Sequence, residues 1–121
     1  ENSYAKGTIQ SGTGSYSSGF IHMNSDVHPQ VTNCYSAVSS TENSNYRYAF
    51  VYNLVYAYNS EPVNTTNSFY DIEISNSEDD HSDAQGKTTE EMKTKSTYTG
   101  WDFDGIWDIS PENYPHLRWE N

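Results

Sequence analysis

The tetrapeptide "NSYA" at Asn2 to Ala5 returns as "NCYS" at Asn33 to Ser36 and as "NSFY" at Asn67 to Tyr70, so an Asn, small, aromatic pattern recurs at spacings of 31 and 34 residues. A second landmark, "SSGFI" at Ser17 to Ile21, is answered by "RYAFV" at Arg47 to Val51 at a spacing of 30, and each copy falls between two of the Asn motifs. Two landmarks in one order point to a structural unit of about thirty residues, of the kind that buries an apolar face only by stacking on its neighbour.

Within each unit the apolar pattern is that of strands. "GTIQ", "SGFIHM", "QVTNCYSAV", "YRYAFVYNLVYAY" and "NTTNSFYDIEI" are rich in β-branched and aromatic residues and are separated by Gly, Ser, Asn and Asp. Period-two alternation sets Tyr46, Tyr48, Phe50 and Tyr52 against Arg47, Ala49, Val51 and Asn53. The same pattern predicts Tyr70, Ile72 and Ile74 inward, with Asp71 and Glu73 facing water. No helical signal precedes residue 87. Two all-β architectures fit: a solenoid of about three stacked layers, or an antiparallel β-sandwich. Asn-Gly and Asp-Gly hairpin turns are missing between these strands, which favours the solenoid. Asn33 and Asn67 fall at corresponding turns, where Asn tolerates left-handed φ and where stacked amides could form a ladder between layers.

Composition limits what such a fold can hold. Only 33% of the 121 residues are hydrophobic, yet there are eleven Tyr, four Phe and three Trp, far more aromatic surface than a disordered segment carries. A formal net charge of -11 opposes nucleic acid, whose phosphates require cations, and opposes anionic membrane surfaces equally. No apolar run approaches the ~20 residues that span a bilayer, so membrane insertion is not expected. The lone Cys34 cannot form an internal disulfide and reads as a small buried hydrophobe. The amino end, "ENSYAKG", has neither an initiator Met nor a signal peptide, as in a piece excised from a longer precursor.

After Ile74 the chain changes character, which divides it into repeats over 1–75, an acidic loop over 76–87 and a helix with a Trp-rich tail over 88–121. The loop carries Glu78, Asp79, Asp80 and Asp83, a weak calcium candidate because the EF-hand spacing is absent; a solvated loop is the plainer reading. In "KTTEEMKTKS", Thr88 and Glu91 form a capping box with acids at the amino end and Lys93 and Lys95 toward the carboxyl end, which predicts a short helix. All three tryptophans lie in the last 21 residues. The terminal layer of a solenoid would polymerise unless covered, so Trp101, Phe103, Trp107 and Trp119 are expected to form a structural cap over it. A sugar-stacking platform is the alternative role for these indoles.

Catalysis is not expected. His22, His28, His81 and His116 are scattered without metal-binding spacing, there is no nucleophile elbow or phosphate loop, and no cofactor or metal is implied. The best ligand-binding candidates are Tyr46, Tyr48, Tyr52, Tyr56 and Tyr58, whose rings could face a glycan or a host protein. A sequon stands at Asn64-Thr65-Thr66.

The motifs carry a family likeness. "TNCYS" at Thr32 to Ser36 resembles the Thr-Asn-Cys-Tyr core of the GLUG-motif repeats of large bacterial surface and secreted proteins, including repeat regions attached to some immunoglobulin A peptidases and adhesins. "GKTTEEMKTKSTYTGWDFDGIW" with "NYPHLRW" is similar to the tail that often closes those repeats. The family's Gly-Gly-Leu-Val-Gly segment is degenerate here, as "SSGFIHMN" and "YAFVYNLV". The resemblance implies a short right-handed parallel β-helix, secreted or at the bacterial cell surface, with no catalytic residues. Its expected partners are upstream repeats of the parent protein, or a second copy meeting its open amino-terminal end.

Overall fold

A computed structural model describes residues 1–10, 16–23, 29–40, 47–53, 61–77 and 81–120. In chain order the strands are β1 (Tyr4–Ile9), β2 (Ser17–Ser18), β3 (Ile21–Met23), β4 (Val31–Thr32), β5 (Tyr35–Ser40), β6 (Arg47–Tyr48), β7 (Val51–Asn53), β8 (Thr65–Thr66) and β9 (Phe69–Asp71). Helix α1 (Ile72–Ser75), strand β10 (Gln85–Lys87), helix α2 (Thr89–Met92) and the short strands β11 (Trp107–Asp108) and β12 (His116–Leu117) follow. The described residues are therefore mostly β, with two α-helices of one turn each among them.

Pairing follows the sequence repeat. A parallel sheet runs in the order β1, β5, β9, β10, and β2 with β6, β3 with β7 and β4 with β8 form small parallel pairs. Tyr4 lies opposite Tyr35, Ser17 opposite Arg47, Ile21 opposite Val51 and Val31 opposite Thr65, so each partner is one repeat away. Parallel neighbours need a long connection rather than a hairpin, and the repeat length supplies it. The antiparallel sandwich does not form among the described residues, where β11 with β12 is the one antiparallel pair.

The Asn motif owes its recurrence to local chemistry. Asn2, Asn33 and Asn67 all hold left-handed φ, at 51°, 52° and 47°. The small residue that follows each one donates back to the carbonyl two positions earlier: Ser3 Oγ to Glu1 O, Cys34 Sγ to Thr32 O and Ser68 Oγ to Thr66 O. Asn67 Nδ2 donates to Asn33 Oδ1, and Asn33 Nδ2 to Asn2 Oδ1, each at 3.4 Å. The amide ladder anticipated from the spacing is present, and Asn2 adds a third member to it.

Along each strand of the sheet, alternate side chains enter two different cores. Cys34, Phe50, Val51, Val63 and Tyr70 belong to one buried cluster. There the rings of Phe20 and Phe50 stack at 4.8 Å and 4°. Gly19 is fixed by the close approach of the chain, since a Cβ there would stand 2.3 Å from Ala49 O and from Ser36 Oγ. Tyr35, Ala37 and Phe69 point the other way, into a second cluster with Met92, Trp101 and Trp107.

Several expectations are corrected. Ala49 and Phe50 form a bend between β6 and β7, so the continuous alternation drawn from Tyr46 to Asn53 is broken and Tyr52 is buried. Asp71 is fully buried instead of facing water, because its Oδ1 accepts from Glu73 N and Ile74 N and caps α1 where the strand was expected to continue. The span expected to be an acidic loop contains β10, and Val63 bridges to Ser82 beside it. The tail was expected to seal the last layer of repeats. It lies instead across one face of the sheet, with Trp107 at 6.1 Å from Tyr4 and 6.2 Å from Tyr35, and Trp101 at 6.2 Å from Phe69. This face presents Tyr4, Tyr35 and Phe69, the ring-bearing residues at one register position of three neighbouring strands, and the tail's aromatics pack on them. The capping box of α2 is as anticipated, with Thr88 and Glu91 satisfying each other's backbone amides.

Candidate functional site

Of the five candidate tyrosines, Tyr46, Tyr56 and Tyr58 lie outside the described residues. Tyr48 and Tyr52 are at a cluster that the bend at Ala49 and Phe50 brings together with residues from two other segments. Tyr52 is central: its ring is 4.7 Å from Tyr48, 4.9 Å from Tyr16, 4.8 Å from His22 and 5.5 Å from His81. Tyr48 also meets His81 at 4.6 Å. Tyr16 is 46% exposed and His22 is exposed, so the cluster has a wet rim around a buried ring. His81 Nδ1 stands 3.0 Å from both N and O of Asn53. A bare Nδ1 accepts from the amide and a protonated one donates to the carbonyl, so the imidazole is held in place in either state. Sequence reasoning missed Tyr16, His22 and His81 here, because residues so far apart meet only once β2, β3 and the segment after α1 are stacked.

Hydrogen bonds fasten the tail to the strands. Asp71 Oδ2 accepts from Thr89 Oγ1 at 2.8 Å and from Tyr114 Oη at 2.6 Å, Tyr35 Oη donates to Pro115 O at 2.6 Å, and Trp101 Nε1 donates to Asn67 O at 2.8 Å. Burial pushes the Tyr35 and Tyr98 phenols well above their ordinary range, and Tyr98 Oη donates to Met92 O. Tyr114 is raised too, first by burial and then by its hydrogen bond to Asp71.

Of the four residues expected to cap the last layer, Trp101, Phe103 and Trp107 join the aromatic cluster on the face of the sheet, and Gly100, at φ 85°, sits so close to Asn67 that a Cβ would stand 2.7 Å from its Nδ2. That contact covers the downstream end of the amide ladder. Trp119 does not join: it is 77% exposed, in the 3-10 turn Arg118–Glu120 that follows the end of β12. It walls an open hollow of about 650 Å³ with Tyr4, Lys6, Leu117 and Glu120, beside the outer edge of β1. Glu120 holds the Tyr4 hydroxyl at 2.8 Å and 2.9 Å through its two oxygens. Burial raises the Tyr4 phenol, and Glu120 raises it further.

Cys34 is buried, as anticipated. Of the calcium candidates, Glu78, Asp79 and Asp80 lie outside the described residues and Asp83 is exposed. Among the described residues no group of three or more His, Cys, Asp and Glu is placed to hold a metal ion, and no helix is long and apolar enough to cross a membrane.

No family model matches the chain, and no solved structure matches it significantly. A protein of Evansella cellulosilytica named "Putative Gly-rich membrane protein" is 44% identical over 52 residues, covering 41% of this chain. The chain spans about 6% of the length of that relative.

Proposed function

We propose that this chain is a non-catalytic structural module, the end of a right-handed parallel β-helix in a secreted or cell-surface bacterial repeat protein of the GLUG type. The observation that carries the reading is the series Asn2, Asn33, Asn67, identical in φ region and joined side chain to side chain between parallel strands one repeat apart. Such stacking makes a spacer whose length grows with the number of repeats and needs no cofactor. The partial likeness to a much longer protein named for the membrane fits a segment of a large envelope protein. Upstream repeats of the parent, or a second copy, are its partners.

A second reading, a glycan- or protein-binding module, is favoured by the rings of Tyr16, His22, Tyr48, Tyr52 and His81 around one another on a partly wet surface. A glycan array with plant and host polysaccharides separates the two. The structural reading expects no binding tighter than millimolar; micromolar binding abolished by Tyr48→Ala and Tyr16→Ala would establish the second reading in its place.

A further inference from the structure

We infer that the hollow between β1 and Trp119 is a socket for one more parallel strand of the same repeat, supplied by an upstream unit and carrying Asn, a small residue and an aromatic in sequence. The inference rests on the reading of this chain as the end of a stacked repeat, and it specifies the occupant of the open end.

Three series meet at β1: a backbone series and an amide series that run through the stack, and a ring series made of the one stacked pair Tyr4 and Tyr35. In the backbone series, the aromatic position of each strand donates its N–H to the small position of the strand before it: Gln85 N to Ser68 O, Phe69 N to Cys34 O and Tyr35 N to Ser3 O. Ser3 O faces β5, so strand alternation turns the N–H of Tyr4 to the outer edge, where β1 has no second strand partner among the described residues. In the amide series, Asn67 donates to Asn33 and Asn33 to Asn2. The next acceptor, for Asn2 Nδ2, is the side-chain oxygen of an incoming Asn. In the ring series, Tyr4 stacks on Tyr35 at 5.1 Å and 4°, and the position one ring further is the hollow itself, with Trp119 as its wall.

The two ends of the stack differ in the same sense. Downstream, β10 borders the sheet and Gly100 closes on Asn67. Upstream, an indole 77% exposed stands beside a strand edge that has no partner strand among the described residues, the arrangement that invites strand addition. A second copy related by a twofold axis would present its own β1 antiparallel, which breaks the amide and ring series, so the occupant is a parallel strand.

The test extends the chain by its own repeat, with Asn2–Thr32 duplicated directly before Asn2, so that the natural Thr-Asn junction is kept. Trp101 and Trp107 are buried, so acrylamide quenching of tryptophan fluorescence reads Trp119. The quenching constant should fall several-fold and the thermal midpoint should rise. The same extension with its Asn2 and Tyr4 copies changed to Ala should leave Trp119 as quenchable as in the parent chain. Unchanged quenching in the first extension overturns the socket, as does equal shielding by the Ala version. Shielding that grows with concentration of the unextended chain assigns the site to a second copy and also overturns it. The underlying reading has its own readout: Thr8 and Ser39 hydroxyls are 2.9 Å apart across β1 and β5, so a Thr8→Cys, Ser39→Cys pair in a Cys34→Ser background should oxidise to a disulfide. Failure there removes the stacked repeat, whereas oxidation without shielding removes the socket alone.

Discussion

Replacing Asp71 by Ala should unfasten the tail from the parallel sheet. The carboxylate is fully buried and accepts four hydrogen bonds, two from backbone amides at the start of α1 and two from the hydroxyls of Thr89 and Tyr114. Loss of a helix cap costs about 1 kcal/mol, and a hydrogen bond to a charged group is worth roughly 1.5–3 kcal/mol. Part of the second term returns as the hydroxyls find water, so a loss of about 3–5 kcal/mol is expected, against a total stability of roughly 5–15 kcal/mol for a domain. Urea unfolding followed by far-ultraviolet circular dichroism gives the total, and the fluorescence of Trp101 and Trp107 reports the tail. A double-mutant cycle with Tyr114→Phe isolates the bond between the two: Tyr114→Phe should destabilise the parent chain by about 1–3 kcal/mol and the Asp71→Ala chain hardly at all. A loss below about 1 kcal/mol for Asp71→Ala, or an equal cost of Tyr114→Phe in both backgrounds, would refute the argument that this carboxylate holds the two parts together.

Alkaline pH should unfold the protein through Tyr35 and Tyr98. Their folded phenols are raised above the unfolded value near 10, so their contribution is intact below pH 10 and falls above it, by about 1.4 kcal/mol per pH unit for each phenol still protonated in the fold. Phenolate absorbance that rises for all eleven tyrosines near pH 10 without loss of structure would contradict this. Asn33→Ala should cost about 1–2 kcal/mol, because Ala resists φ near 52°, and Asn33→Gly should recover most of it; equal losses in chemical denaturation would mean that backbone conformation is not what Asn supplies there. Trp107→Ala should destabilise by about 3–5 kcal/mol and Trp119→Ala by less than about 0.5 kcal/mol, and similar thermal shifts for the two would place Trp119 in the packed tail after all.

What could be read from the sequence, and what could not, separates along the range of the interaction. The register of β1, β5 and β9 is legible because the Asn motif encodes it locally: a left-handed turn at Asn, a hydroxyl or thiol satisfying the carbonyl two residues back, then a ring. The capping box at Thr88 is legible for the same reason. The destination of the tail is not, because both faces of these strands are apolar. Cys34 and Tyr70 serve one core while Tyr35 and Phe69, their immediate neighbours, serve the other. A period-two pattern assigns one face to water, and in "NSFYDIEI" it assigned Asp71 there. A carboxylate at that point instead gathers two amides of its own chain and two hydroxyls from the tail, and so ends the strand and anchors the segment that buries it. Where a repeat protein carries a polar residue on an otherwise aromatic face, its burial depends on partners supplied from elsewhere in the chain. Here they lie 18 and 43 residues away, beyond the reach of any local pattern. The same limit applies to Trp119: the spacing of the tryptophans groups it with Trp101 and Trp107, yet it stands exposed beside β1, and nothing in the motif around it separates it from them.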